Sequence, residues 1–476
     1  MKFLKKYKYA LIISLVSLLI LVSIPSSIIG VGLNLPTQFD NTFYGGFKLK
    51  VERLKKTNGK RIIIVGGSSV PFGIRSDLIE LNFNDYQVVN FGLYANLGTK
   101  VMLDIVGNHL RNDDIVIFSP EQHEQTLSTY FNGLDMWKAL DGSFQLVNEI
   151  ASENRANLYA NFPNFVGEKY LYSKGEKLDP EGVYNVKSFN KFGDIDYPQR
   201  NNNIMNNYYN SQDLVSFSEE IINEDFIKYL NEFNSKSNTR GAKTYYRFAP
   251  TNKLSLENSD PKILDNYYQF LDQELMFDIL GNPHDSILDH EWFYDTNYHL
   301  NASGAITNTL NIVKELKIEF GDGTPVLGTY PLKPPPLINE EEYEENTLDI
   351  DYFNYEKRNN GWHVDSLKKE FDKETIYLPT SYANEKIISF DKELFKNSQR
   401  VKELVIAPNI HSIDDSSFAF SSIEKIKLLA LKPSSTVIGN NLLENSKANI
   451  FVAKEVLNNY KLDYSWSAYS NRIFGY

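Results

Sequence analysis

The stretch Arg61-Ile62-Ile63-Ile64-Val65-Gly66-Gly67-Ser68-Ser69 decides the fold of this chain. Four consecutive β-branched residues between a charged residue and a glycine pair predict a short strand that is buried on both faces. The two glycines permit a sharp turn and a close approach of another molecule to the backbone. A serine is therefore expected at the end of a buried strand.

Runs of the same kind alternate with helical patterns up to about residue 320. We predict strands at 61–65, 87–91, 114–119 and 244–249, and helices at 76–81, 98–110 and 302–316. This alternation is typical of an α/β protein with a parallel sheet covered by helices on both faces. Ser68, Gly92 and Glu121 directly follow predicted strands, at the carboxyl edge where such sheets bind ligands.

The N-terminal segment, residues 1–33, has the composition of a membrane anchor. Four lysines lie within the first eight residues, and an apolar run over residues 9–33 follows, interrupted at Pro25-Ser26-Ser27. The run is long enough to span a bilayer, and its basic flank predicts a cytoplasmic N-terminus with the remainder outside. A cleaved signal peptide, giving a secreted protein, is the alternative. No small-x-small cleavage site is evident, which favours a single-pass membrane protein.

The rest of the chain divides by composition into four segments. We predict a juxtamembrane stalk at 34–60, the α/β domain at 61–320, a linker rich in Pro and Glu at 321–346, and a separate domain at 347–476. The α/β domain carries a long insertion at 125–240. The part of it from 157 to 210 is rich in Asn, Tyr, Phe and Gly. It is either packed by its own aromatic rings or forms a lid that faces carbohydrate.

Composition excludes several classes of function. The net charge of the 476-residue chain is -12, which argues against nucleic acid as a partner. The absence of cysteine excludes disulfides, thiolate metal sites and cysteine nucleophiles. His284, Asp285, Asp289 and His290 are of metal-ligand type, but their spacing matches no specific pattern, and we interpret them as a solvated loop. We expect neither a metal nor a cofactor.

The residue types of two distant segments suit serine chemistry. A serine hydroxyl needs a general base within hydrogen-bond reach and donors for an oxyanion. Ser68 offers the hydroxyl, and the segment Asp295-Thr296-Asn297-Tyr298-His299 offers a base and a carboxylate. The alternative is an ordinary glycine turn of an α/β protein, with backbone amides that bind phosphate.

Three stretches of the chain resemble conserved blocks of the SGNH, or GDSL-type, hydrolase superfamily. Residues 65–73 resemble its first block, residues 88–92 its second, and residues 295–304 its fifth. The resemblance implies a flavodoxin-like three-layer fold. It also implies Ser68 as nucleophile, His299 as base, Asp295 as the carboxylate that orients the base, and the amides of Ser68 and Gly92 as oxyanion donors.

The chain departs from that family at two positions. The family spacing is Asp-x-x-His, whereas here it is Asp-x-x-x-His, which puts the bond from Asp295 to the imidazole in doubt. Asn297 and Asp289 are alternative partners. The asparagine of the third block is absent, since residues 119–123 read Ser-Pro-Glu-Gln-His. Gln122 is the expected substitute donor, while an ionised Glu121 would oppose an oxyanion.

The C-terminal segment contains an internal repeat. Leu394-Phe395, Phe418 to Phe420 and Leu442-Leu443 recur at about 24 residues, and Ile388, Ile413 and Ile438 are spaced by 25. A period of this length with one short strand per unit predicts a solenoid. The spacing and the pattern of apolar residues resemble those of bacterial surface leucine-rich repeats of the BspA type. Residues 449–466 look similar to the terminal cap of that family.

These expectations combine into one functional hypothesis and two alternatives. The resemblance implies an extracytoplasmic serine esterase or O-acyltransferase that acts on acyl groups of a cell-surface glycan. A membrane-anchored extracytoplasmic domain of this kind looks similar to glycan O-acyltransferases and to the D-alanine-transfer protein of teichoic-acid modification. Expected partners are an acylated surface polymer, a membrane acyl-donor protein, the membrane itself and a protein ligand of the repeats. The alternatives are a non-catalytic surface adhesin or scaffold, and a glycan-binding module that uses the aromatic insertion.

Overall fold

The computed structural model describes residues 2–175, 177–197, 205, 208–331, 343, 345–358, 361–383, 385–396, 398–407, 410–430, 433 and 436–476. The helices within these ranges are α1 Lys2–Asn34, α2 Gly46–Lys56, α3 Ser69–Gly73, α4 Ser76–Asn82, α5 Thr99–His109, α6 Gly133–Ala139, α7 Arg155–Tyr172, α8 Glu224–Thr239, α9 Pro261–Glu274, α10 Ala302–Glu319 and α11 Leu457–Leu462. The protein is of mixed α/β class.

The strands fall into an N-terminal group and a C-terminal group. The first comprises β1 Lys60–Gly66, β2 Tyr86–Gly92, β3 Ile115–Phe118, β4 Lys243–Tyr246, β5 Thr251–Asn252 and β6 Ile287–Leu288. The second comprises β7 Phe353–Arg358, β8 Gly361–Leu367, β9 Thr375–Tyr377, β10 Ser381–Tyr382, β11 Glu385–Phe390, β12 Glu403–Ile406, β13 Ser412–Ile413, β14 Lys425–Leu428, β15 Val437–Ile438, β16 Asn449–Val452 and β17 Ile473–Gly475.

The first four strands form one parallel sheet in the order β2-β1-β3-β4. Because successive side chains point to opposite faces, Ile63 and Val65 enter one core while Ile62 and Ile64 enter another. Helices α2, α5 and α8 cover the first face, and α4 and α10 cover the second. The four predicted strands and three predicted helices are confirmed, with ends that differ by at most three residues.

The prediction of a stalk at residues 34–60 is wrong. Phe43, Phe47, Val51 and Leu54 recur at helical spacing and are buried in the core beneath the sheet. They belong to α2 and the turn before it, so this segment is part of the α/β domain. The lysines and Arg53 of α2 gave the segment its polar composition and concealed the apolar stripe.

Helix α1 is continuous through Pro25, where the sequence suggested an interruption. Its segment Ala10–Asn34 has a mean hydropathy of 2.5, and it is long and apolar enough to cross a membrane. A signal sequence has the same character.

The insertion at 125–240 contains α6, α7 and α8, so it is more regular than predicted. Rings such as those of Phe162, Phe165 and Phe189 are buried in the main core. Residues 198–204, 206 and 207 of the insertion lie outside the described ranges.

A buried polar network fastens the insertion to β2 and α4. Asp194 accepts hydrogen bonds from the Ser76 hydroxyl at 2.6 Å and from the Asn90 amide at 2.9 Å. The Lys50 ammonium donates to the carbonyl of Gly193 at 2.7 Å and to that of Asn90 at 3.1 Å. Burial lowers the pKa of Lys50 to about 7, against the opposing effect of Asp194, and burial raises the pKa of Asp194. The insertion is therefore part of one core with the sheet.

The C-terminal strands form two sheets. One has the order β17-β16-β14-β12-β9 and is parallel throughout, and the other has the order β15-β13-β11-β8-β7 with an antiparallel β7. From β11 to β16 the chain alternates between the two sheets, and the buried residues between them form a common core. Leu404 pairs with Ile426, and Ile426 pairs with Ile450.

The strand pairing follows the isoleucine spacing of the sequence only in part. Ile413 pairs with Ile438, but the residue of β11 that pairs with Ile413 is Phe390 and not Ile388. The spacing in this row is therefore 23 and then 25 residues. The proline cluster and most of the acidic run of the predicted linker lie outside the described residues.

A buried ion pair ties the amino edge of the central sheet together. The Arg61 guanidinium is fully buried and donates to Asp114 Oδ1 at 2.9 Å and Oδ2 at 2.5 Å. It also donates to the carbonyls of Leu54 at 2.6 Å and His109 at 2.7 Å. One side chain therefore joins β1 to the start of β3 and to the ends of α2 and α5.

We expect Asp114→Ala to destabilise the protein by about 3–5 kcal/mol, because it leaves a buried guanidinium without its counterion. Arg75 and Asp77 provide a matched control, since they form the same two-bonded pair at 3.0 and 2.8 Å with 36% and 46% of their side chains exposed. Asp77→Ala should change stability by less than about 1 kcal/mol. Denaturant unfolding of the full chain measures both variants, and equal effects would contradict the prediction.

Candidate active site

Ser68 lies on a turn that the chain can make only with glycine at the two preceding positions. A Cβ on Gly66 would lie 2.2 Å from the carbonyl oxygen of Ser119, and one on Gly67 would lie 2.0 Å from a carboxylate oxygen of Glu121. Both contacts are too short for any side chain. Strand β1 ends at Gly66 and α3 begins at Ser69, so Ser68 stands at the carboxyl edge of the sheet.

Asp295 and His299 lie on a tight loop directly before α10. Phe293 and Leu300 form an antiparallel bridge, and the Tyr294 N–H donates to the His299 carbonyl at 2.8 Å. Within the loop, the Thr296 hydroxyl accepts the N–H of His299 at 3.0 Å. The segment is therefore a closed hairpin-like loop.

The structure brings the three predicted catalytic residues together. His299 Nε2 lies 2.8 Å from Ser68 Oγ, and His299 Nδ1 lies 2.8 Å from Asp295 Oδ1. The extra residue between Asp295 and His299 does not separate them, because the loop closes the carboxylate back over the imidazole.

Asn297 and Asp289, the alternative partners suggested for His299, make other contacts. The Asn297 side chain is fully buried and bonds to the backbone of Asn210 at 2.8 and 3.0 Å and to the carbonyl of Asp213 at 2.6 Å. Asn297 therefore attaches the insertion to the loop that carries Asp295 and His299. Asp289 lies at the N-terminal flank of the short turn that begins at His290, and its side chain makes no capping hydrogen bond to that turn.

An aromatic wall holds the imidazole in place. The Phe72 ring stacks on the His299 ring with centroids 4.0 Å apart and planes inclined by 5°. The Tyr184 hydroxyl donates to Asp295 Oδ2 at 2.7 Å and lies 3.4 Å from His299 Nδ1. Tyr184 belongs to the insertion, so the insertion contributes directly to the site.

The C-terminal domain also reaches the rim of the site. The Lys454 ammonium donates to the Tyr294 hydroxyl at 3.1 Å and lies 4.4 Å from the centre of that ring.

Burial raises the pKa of Asp295. The charge and hydrogen bond of His299, the hydrogen bond from Tyr184 and the charge of Lys454 outweigh this effect, and the pKa is lowered below 3.8. The carboxylate is therefore held in its ionised form.

The predicted oxyanion donors differ in their surroundings. The Ser68 N–H has no hydrogen-bond partner among the described residues, so it is open to an acceptor. The Gly92 N–H instead donates to Asn90 Oδ1 at 3.3 Å. Gln122 lies against the hydroxyl of Tyr267, and no hydrogen bond within the described ranges joins it to Ser68. Gln122 Nε2 is buried and has no hydrogen-bond partner among the described residues. Of the three predicted donors, the Gly92 N–H is the one engaged by another group, and the Ser68 N–H is the one that belongs to the serine turn itself.

Glu121 is the most unusual group beside the serine. Its carboxylate is buried, accepts the Ser69 N–H through Oε1 at 2.7 Å and lies against the Cα of Gly67. Its Oε2 has no hydrogen-bond partner among the described residues. A buried acid therefore stands beside the turn that carries Ser68.

The polar cluster before the loop is not assembled around a common point. His284 Nε2 lies 2.7 Å from Asp265, and His290 Nδ1 lies 3.4 Å from Glu291. Within the described part of the chain, the acids grouped closely enough to hold an ion are Glu356, Asp365 and Asp391. Arg358 pairs with Glu356 and Asp391 there.

Sequence reasoning missed Phe72, Tyr184, Tyr294 and Lys454 as neighbours of the site. Phe72 lies within the serine block, and a stacked ring there follows from the turn of α3. Tyr184 and Lys454 lie more than 100 residues from His299, in segments whose spacing bears no relation to it.

Comparison with protein-family models finds no match for this chain, and comparison with curated protein sequences finds none either.

We expect Gly67→Ala to destabilise the protein by about 1–3 kcal/mol, because the added methyl group meets the buried Glu121 carboxylate. Gly73→Ala is the matched control, since its nearest atom would be 3.5 Å away. The double variant Gly67→Ala, Glu121→Ala should recover stability relative to the single variant. Thermal unfolding measures all three, and a Gly67→Ala protein as stable as the parent would contradict the prediction.

The lowered pKa of Asp295 predicts a pH-dependent contribution to stability. The ionised group stabilises the folded state above its unfolded pKa of 3.8, and that contribution is lost as the pH falls through the lower folded value. The difference in unfolding midpoint between the parent and Asp295→Asn should therefore be constant near neutrality and shrink below about pH 4. Asp272→Asn, at an exposed position of α9, is the control. A difference that stays constant down to pH 3 would refute this assignment.

Proposed function

We propose that this protein is a membrane-anchored, extracytoplasmic serine esterase or O-acyltransferase that acts on acyl groups of a cell-surface glycan. The observation that carries the proposal is the hydrogen-bonded series from Ser68 to His299 to Asp295, with both steps at 2.8 Å. Nucleophile, base and orienting carboxylate in this arrangement define serine acyl-transfer chemistry.

The proposed reaction has two steps. The Ser68 hydroxyl attacks the acyl carbonyl while His299 Nε2 takes its proton, and the same proton then passes to the departing alcohol oxygen. This leaves the acyl group on Ser68. A water molecule or a sugar hydroxyl, deprotonated by His299, then attacks that ester and releases the serine. Asp295 fixes the tautomer of His299 and stabilises its cation, and the Ser68 N–H faces the developing oxyanion.

The fold supports this proposal independently of the side chains. A parallel sheet in the order β2-β1-β3-β4 with helices on both faces is the arrangement of a flavodoxin-like α/β domain. The candidate residues lie beyond the carboxyl ends of its strands, where open α/β sheets bind ligands. Together with the three sequence blocks, this favours an SGNH-type domain.

We interpret the C-terminal domain as a short leucine-rich repeat solenoid of the BspA type that binds a protein ligand. Its support is the ladder of equivalent residues, in which Leu404, Ile426 and Ile450 pair in succession. Left-handed backbone also recurs at Glu393, Ser416 and Asn441, one turn in each unit.

The membrane assignment follows from α1 and the basic residues before it. With its N-terminus in the cytoplasm, the catalytic and repeat domains lie outside the cell. The partners of the reaction are then an acylated surface polymer and a membrane protein that donates the acyl group.

We expect Ser68→Ala to abolish hydrolysis of a p-nitrophenyl acetate substrate and labelling by a fluorophosphonate probe. The fold should survive, because the Ser68 side chain makes no capping hydrogen bond to α3. Ser69→Ala, at the adjacent buried serine, is the matched control and should keep most of the activity.

Asp295→Asn should lower kcat by about 10³–10⁴-fold, because the His299 imidazole loses the carboxylate that holds its productive tautomer.

A second candidate function is a catalytically inactive surface scaffold. The observations in its favour are the buried Glu121 carboxylate beside Gly67 and the engagement of the Gly92 N–H by Asn90. Loss of one oxyanion donor costs about 3–4 kcal/mol of transition-state stabilisation. Mass spectrometry of the probe-treated protein separates the two: a modified Ser68 peptide supports the enzyme, and an unmodified one supports the scaffold.

A further inference from the structure

The outer face of α7 has an unusual composition for an exposed helix. Its exposed positions carry no charge: Ala156, Asn157, Tyr159, Ala160, Pro163, Asn164, Gly167, Tyr170, Leu171 and Tyr172. Tyr159, Tyr170 and Leu171 are 54%, 45% and 70% exposed. By contrast, the exposed positions of α8 and α9 include Glu224, Lys228, Asp265 and Asp272. The uncharged face is therefore a local property of α7.

Helix α7 packs against the end of the candidate membrane helix. Gly32 of α1 is buried, and a Cβ there would lie 2.4 Å from Val166 and 2.8 Å from Phe162. The Lys169 ammonium donates to the Gly32 carbonyl at 3.2 Å and to Asp141 at 2.8 Å, and its side chain is 1% exposed. The contact between α1 and α7 is therefore close and specific.

The position of this contact along α1 coincides with the expected bilayer surface. The apolar segment begins at Ala10, and about 20 helical residues cross the hydrocarbon core, which places its far boundary near Ile29. Ile28 packs on the same core as α7, and Gly32 contacts α7 one turn later. Helix α7 is thus attached where α1 leaves the bilayer.

We propose that the outer face of α7 rests on the surface of the phospholipid bilayer from which α1 emerges. The proposal rests on the membrane anchor included in the proposed function and is independent of the serine chemistry. Tyrosine rings are favoured at the depth of lipid headgroups, where one edge is apolar and the hydroxyl is hydrated. Lys174, just beyond the helix, lies 4.3 Å from the centre of the Tyr170 ring, where its ammonium reaches lipid phosphates.

The cysteine-free chain allows a direct test with single labels. Tyr159→Cys and Leu171→Cys, each labelled with an environment-sensitive fluorophore, are reconstituted as full-length protein in phosphatidylcholine–phosphatidylglycerol vesicles. Met276→Cys is the matched control, since Met276 is an apolar residue of the same domain with 78% exposure. Leu18→Cys, in the middle of α1, reports on the anchor itself.

Lipids with a spin label near the headgroup should quench the two α7 labels at least about twofold more than the Met276 label. Aqueous iodide should show the opposite order. Lipids with a spin label near the end of the acyl chain should quench the Leu18 label, because the middle of a spanning helix lies about 15 Å from the headgroups. Equal quenching of the α7 and Met276 labels by the headgroup spin label, together with quenching of Leu18 by the acyl-chain spin label, would overturn the proposal while leaving the anchor in place. A Leu18 label that the acyl-chain spin label does not quench would overturn both. Activity measurements on Ser68 enter neither outcome.

Discussion

Burial of β1 on both faces is the constraint on which the rest of the structure depends. Its side chains alternate between two cores, and its backbone pairs with β2 on one side and β3 on the other. Such a strand cannot shift its register by one residue without exchanging its two apolar faces. Arg61 fixes its start against Asp114, and the glycine pair fixes its end. The position of Ser68 therefore follows from packing far from any chemistry.

The parts of the fold that the sequence predicted are those in which local pattern and tertiary packing agree. Four consecutive β-branched residues are typical of a strand that is buried on both faces, so β1 was predictable. Helix α2 was missed because Lys50 is buried, which runs against the usual distribution of lysine. The bond from Asp295 to His299 was not predictable, because a spacing of four residues brings two side chains together only if the segment folds back on itself, and the hydrogen bonds that close this loop are made by its backbone and by Thr296. Tyr184 was missed because only the packing of a long insertion brings it to the site.

The candidate site combines a well-assembled acid-base series with an incomplete set of oxyanion donors. The imidazole is held by a stacked ring, by Asp295 and, through that carboxylate, by Tyr184. Beside the serine turn, Glu121 places an acid in the segment where the sequence resemblance led us to expect an amide donor. Proton transfer and charge stabilisation are separate contributions to catalysis, and each depends on its own set of contacts. Here one set is complete within the α/β domain, and the other depends on the Ser68 amide.

The chain between α1 and the aromatic rings beside His299 is short, and this limits how far the candidate site can lie from the bilayer surface. Eight residues separate Asn34 from Phe43, so the two lie within about 30 Å of each other even if the chain were fully extended. The Phe43 ring lies 6.3 Å from Phe72, which stacks on His299. With α1 in a bilayer, Ser68 reaches only molecules in a thin layer above the lipid. Encounter with any partner held in the same membrane then becomes a search in two dimensions, and its rate depends on surface density and not on bulk concentration.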